Sequence, residues 1–174
     1  MESEYVQGTL VPKDLLEPLG LLIVHFSLVE QSVDDTLVLF LDLDKTRGEF
    51  VAAQFSSLRI KTEMLRFLAE KSLPDQLDRD YFGSVMKKVS EANDARNLII
   101  HGDWHYLGIL FDVSVAKNTL TRGGKPKTTP ISEVGIRDAA RKAFEAYIAL
   151  EAAVKVVKRI PPTDLPLPWL QDFL

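Results

Sequence analysis

The chain contains no cysteine. That removes disulfides, thiolate nucleophiles and Cys-ligated zinc or iron–sulfur centres in one step, and it fits a reducing cytoplasm. Long hydrophobic runs are also missing. The most apolar stretch covers only residues 19–29 and is broken by His25 and Ser27, whereas a bilayer needs about 20 apolar residues. Nor is there bulk positive charge: 21 Lys and Arg stand against 25 Asp and Glu, a net charge of -4, which excludes coating of nucleic acid by charge alone but leaves room for a local basic site. The opening MESEYVQGTL has neither a basic start nor an apolar stretch of the secretory kind, so neither a membrane nor export is expected. Histidine is scarce, with 3 in the chain and no ligand spacing among them, so neither a metal nor a cofactor is expected.

What is present supports one packed domain. With 174 residues and 46% hydrophobic content, the chain is long enough for a single core and too short for two. The fold class expected is mainly α, a bundle of four to five helices with a small β-hairpin inserted before the last long helix. Residues 1–160 form the helical domain and residues 161–174, with Trp169 and Phe173 among prolines, form an extended tail.

Four segments carry helical periodicity. The first covers residues 13–42, with Leu15, Leu19, Ile23, Phe26, Val33 and Leu37 on one face and Leu21, Val24 and Leu28 opposite. A helix apolar on two sides is either central in the bundle or part of a dimer interface. After a polar break at residues 44–48, Val51, Phe55, Leu58, Leu65 and Leu68 mark a second helix ending before Pro74. A third starts near Asp78 or Asp80, acids suited to a helix N-terminus, and stops at Gly102. The fourth begins at Ser132, with Ile131 and Ile136 placed as a hydrophobic staple, and runs to Pro161. Between the third and fourth, alternation at Phe111, Val113 and Val115 reads as a hairpin over residues 105–122, within an insertion of about 105–130. Lys117, Arg122, Lys125 and Lys127 make its far side basic, a candidate guide for RNA or simply a solvated loop.

Two charges fall where apolar residues are expected. Arg96 lies on the arc of Phe82, Val85, Met86, Val89 and Ile100, and Glu30 lies on the arc of Leu19, Ile23, Phe26 and Leu37. Burying either alone costs several kcal/mol, so the spacing predicts that the two face one another as an ion pair. Asp94, Asn97 and His101 form an adjoining stripe at steps of three and four residues. His101, in the last turn, is a candidate proton acceptor or a simple helix cap.

RNLIIH, residues 96–101, has the R-x4-H form of the motif of HEPN domains, with a polar residue directly after the Arg. The chain resembles that family over roughly residues 13–160. The resemblance implies an all-helical bundle and, in catalytic members, metal-independent RNA cleavage at a dimer interface by the Arg and the His, often in toxins or phage defence. On that reading His101 accepts the ribose 2′-hydroxyl proton, Arg96 stabilises charge on phosphate, and Asn97 orients His101 or holds a phosphate oxygen, with Glu30 and Asp94 supporting. A homodimer is the expected assembly. It also suits the helix geometry, because Arg96 and His101 project about 140° apart on one helix and would flank a phosphate best from two copies. Other expected partners are RNA or a nucleotide, and an antitoxin or nucleotidyltransferase protein. The alternative is a non-catalytic helical module that binds nucleotides or proteins and keeps Glu30 and Arg96 as a structural pair.

Overall fold

In a computed structural model, the described residues are 11–55, 57–101, 103–106, 113–117 and 127–158. Among the described residues the fold is mainly helical, with five helices: α1 (Lys13–Phe40), α2 (Lys45–Gln54), α3 (Leu58–Ser72), α4 (Gln76–His101) and α5 (Glu133–Val157). The tail with Trp169 and Phe173, the capping position Gly102, and Arg122 and Lys125 lie outside the described residues.

The line of α1 that enters the core is Leu15, Pro18, Leu22, Phe26, Val29, Val33, Leu37 and Phe40, at steps of three and four. These side chains meet Leu65 and Leu68 of α3, Phe82, Val85, Met86 and Val89 of α4, and an alanine-rich stripe on α5 in a single cluster. Phe40 and Phe82 pack edge to face at 5.3 Å. On α5, Ala139, Ala140, Ala143, Ala146 and Ala153 are all buried, and such small side chains let helices approach closely. Three ties set the direction of α1 against α5: Glu17 to Arg137 at 3.2 Å, His25 to the Ala140 carbonyl at 3.0 Å, and Ser32 to Glu151 at 2.7 Å. Partner numbers rise together, so the two helices run parallel. By length and composition alone α1 is a candidate membrane span, although the apolar stretch within it seemed too short. In the bundle it is the helix around which the others pack.

Local chemistry explains where elements start and stop. α1 ends in a Schellman turn: Leu43 N–H donates to the Val38 carbonyl and Asp42 N–H to that of Leu39, with Asp42 in the left-handed region at φ 50°. The polar break expected at residues 44–48 is instead the first turn of α2. Asp44 caps it by accepting from the Arg47 N–H at 3.0 Å, and charged residues suit an exposed first turn. The real interruption of the expected second helix falls after Phe55, whose backbone is extended, as is that of Ser57, so the segment forms two helices. The third expected helix starts earlier than Asp78. Asp75, directly after Pro74, accepts from the Leu77 N–H at 2.7 Å and opens α4. Ser132 caps α5 as expected, accepting from the Gly135 N–H at 3.1 Å, and Ile136 is fully buried with Ile131 packed against the core. The helix stops at Val157, short of Pro161.

The backbone between α4 and α5 pairs as three antiparallel strands, β1 (Asp103–Tyr106), β2 (Val113–Lys117) and β3 (Lys127–Ile131), in the order β1-β2-β3. The expected hairpin over residues 105–122 thus has its strands shifted: its second strand ends at Lys117, and a third strand pairs with it in register Lys117 to Lys127. Alternation in VSVAK was the readable signal. KTTPI carries a proline and gave none, as suits an edge strand.

Candidate functional site

The last turns of α4 gather Arg96, Asn97 and His101. Arg96 leaves the helix on its core side and is half-buried, with its guanidinium carbon 5.0 Å from the centre of the Phe26 ring on α1. From there its Nη1 donates to Asn97 Oδ1 at 3.0 Å and lies 2.6 Å from His101 Nε2. Because a guanidinium only donates, a hydrogen bond between the two has Nε2 as the accepting nitrogen. Both Nη1 protons are thereby engaged. Among the described residues, the donors on Nε and Nη2 have no hydrogen-bond partner, and this edge of a guanidinium is the one that matches a phosphate in a fork of two bonds.

Two expectations are corrected here. Glu30 is exposed and forms no ion pair with Arg96. The reason lies in the wheel: Leu19, Ile23 and Glu30 sit about 80° from the buried line through Leu22, Val29, Val33 and Phe40, at the edge of the core and not within it. Ile23, on the same arc, is 54% exposed. The second concerns the separation of Arg96 from His101. Their Cα atoms diverge by about 140° around the axis, yet the arginine stem is long enough to bring the two heads together within one chain.

The remaining candidates are less involved. Asp94 is exposed and supplies no bond to the cluster. Lys117 and Lys127 face each other across the β2–β3 ladder at the far end of the sheet, which places two positive residues on neighbouring strands. Among the described residues no group of three or more His, Asp or Glu gathers as a metal ion would require.

Sequence reasoning missed Phe26 as part of this cluster. It was read as core, which it is, being 2% exposed, and nothing in its spacing signals that the ring face also carries a cation. The exposed apolar residues anticipated on α1 are present: Leu21 and Val24, the latter 58% exposed, flank His25, whose ring packs on Phe144 of α5 at 5.0 Å. Phe144 and Ile148 of α5 are themselves 42% and 51% exposed. Compared with known proteins, the chain matches no family model, no curated protein and no solved structure.

Proposed function

We propose that this chain is a metal-independent RNA endonuclease of HEPN type, acting as a toxin or phage-defence effector in the cytoplasm. One observation carries the reading: Arg96 Nη1 lies 2.6 Å from His101 Nε2 while the Nε and Nη2 edge of the same guanidinium has no hydrogen-bond partner among the described residues. A phosphate oxygen attracted to that edge draws the guanidinium toward itself and frees the Nε2 lone pair. Nε2 then takes the proton of the adjacent ribose 2′-hydroxyl, the 2′-oxygen attacks phosphorus, and the bond to the 5′-oxygen breaks as that oxygen receives a proton from water. The products are a 2′,3′-cyclic phosphate and a 5′-hydroxyl, and Arg96 stabilises the charge that builds on the phosphate oxygens between them. Asn97 serves by holding Nη1 rather than the imidazole. Lys117, Arg122, Lys125 and Lys127 supply positive charge to guide the strand.

Exposed Val24, Phe144 and Ile148 support a homodimer formed on the outer side of α1 and α5. The same apolar face favours the second reading, a non-catalytic module that docks a partner such as an antitoxin or a nucleotidyltransferase. Incubating single-stranded RNA with the pure protein in EDTA decides between them. Cleavage leaving cyclic phosphate ends, lost by at least about a hundredfold in His101→Ala, supports the enzyme. Binding without turnover, or full activity in folded His101→Ala, refutes it.

A further inference from the structure

The stacking of Arg96 on Phe26 does more than fill space. A guanidinium on a flexible stem would sample many rotamers at the end of α4, and the two hydrogen bonds to Asn97 and His101 hold it only through Nη1, at one corner of its plane. Contact with the Phe26 ring at 5.0 Å gives the resting group a second hold, because the cation is drawn to the face of the π system. The ring itself cannot move: it is 2% exposed and sits on α1 between buried Leu22 and Val29. An aromatic face is also a partner that takes no donor away. It holds the cation without engaging Nε or Nη2, which a carboxylate in the same place would not do.

We infer that Phe26 is a positioning residue, the platform that aims the Arg96 guanidinium at both His101 Nε2 and an incoming phosphate. The inference rests on the phosphodiester reading for its catalytic consequence, but the platform is a property of the resting chain and is measurable without turnover. It assigns α1 a part in the site beside its part in the core. The residue acts through Arg96 and touches no reacting atom.

The test keeps shape and varies the ring's charge distribution. Mono-, di- and trifluorophenylalanine placed at position 26 of the full chain weaken the negative ring face stepwise at nearly constant volume, so the fold is retained. Two readouts follow: the ¹⁵N shift of His101 Nε2, which reports whether that nitrogen accepts a hydrogen bond, and kcat against KM for RNA cleavage. The platform requires the shift to move progressively toward the value in Arg96→Met, and kcat to fall by about tenfold across the series with KM little changed. Phe26→Met, similar in size but without a ring face, matches the end of the series. A flat ¹⁵N response across the fluorinated series overturns the platform whether or not the protein cleaves RNA. A graded ¹⁵N response in a protein that cleaves nothing upholds the platform and refutes the nuclease reading alone.

Discussion

Replacing Gly48 with alanine sets two physical effects against each other, and the structure decides the sign. Gly48 is the fourth residue of α2, where alanine is favoured over glycine by about 1 kcal/mol because it restricts the unfolded chain and suits the helix. On propensity alone Gly48→Ala stabilises. But Gly48 is buried, and a Cβ built on it lies 2.5 Å from both methyl carbons of Val38 and 3.0 Å from its Cβ. Val38 is β-branched and sits in the last turns of α1, so χ1 has little room to rotate away. Relief therefore requires α2 to shift off α1, and overpacking of this kind costs about 1–3 kcal/mol. The net expectation is destabilisation of about 0–2 kcal/mol, toward the upper end if α2 is firmly seated. Urea denaturation followed by circular dichroism measures it. Val38→Ala in the same chain removes both methyl carbons, so the double variant should recover the helix-propensity gain and exceed the sum of the two singles by more than about 1 kcal/mol. If Gly48→Ala alone raises the stability, the close approach of α2 to α1 is wrong.

Other outcomes follow from local geometry. Asp42→Gly at the left-handed position that closes α1 should stabilise by about 0.5–1 kcal/mol, read from the same denaturation curves, because glycine adopts that backbone without steric cost. The Asp138 carboxyl, held by hydrogen bonds from Arg141 and then Lys142, has its pKa lowered from the usual value. Its contribution to stability is therefore present above the unfolded-state pKa of about 4 and lost as pH falls through the lower folded value. Carboxyl ¹³C titration should show the midpoint return to the ordinary range in Arg141→Gln/Lys142→Gln.

How much of this was legible depends on what each signal encodes. Helix existence was readable because periodicity reports burial directly: Leu65, Leu68, Phe82, Val85, Met86 and Val89 all lie where their spacing put them. Ser132 was readable because a serine before an Ala-rich apolar repeat has few other roles. Boundaries were not. The segment 44–48 is polar since it is an exposed first turn, and polarity alone does not distinguish that from a loop. The face of α1 was misjudged because apolar residues surround much of that helix. Choosing Leu19 and Ile23 over Leu22 and Val29 rotated the inferred core and carried Glu30 inward with it. The composition of the site, Arg96 with Asn97 and His101, was visible as a motif. Its internal geometry was not, since a wheel treats side chains as short radial spokes and an arginine is neither short nor fixed.

The replacement of Glu30 by neutral partners changes what Arg96 can do, and Asn97→Asp tests this directly. In the structure the guanidinium meets an amide oxygen, an imidazole nitrogen and an aromatic face, with no carboxylate bonded to it among the described residues. Among the described residues its charge is therefore bonded at Nη1 but not neutralised, and a phosphate meets no competing anion there. Asn97→Asp keeps the shape and the accepting oxygen at 3.0 Å while adding a negative charge beside Nη1. If Arg96 is only a cap for the end of α4, the change is harmless or slightly stabilising, since a partly exposed ion pair contributes about 0–1 kcal/mol. If Arg96 receives phosphate, the new carboxylate competes with the substrate for the same cation and repels it. RNA affinity and cleavage should then fall by tenfold or more, about 1.4 kcal/mol, with folding stability unchanged or raised. Asn97→Ser, neutral and smaller, should lose less than Asn97→Asp. Equal cleavage and RNA affinity in wild type and Asn97→Asp would show that the Arg96 charge meets no anion in function, and the cluster would then be a helix cap alone.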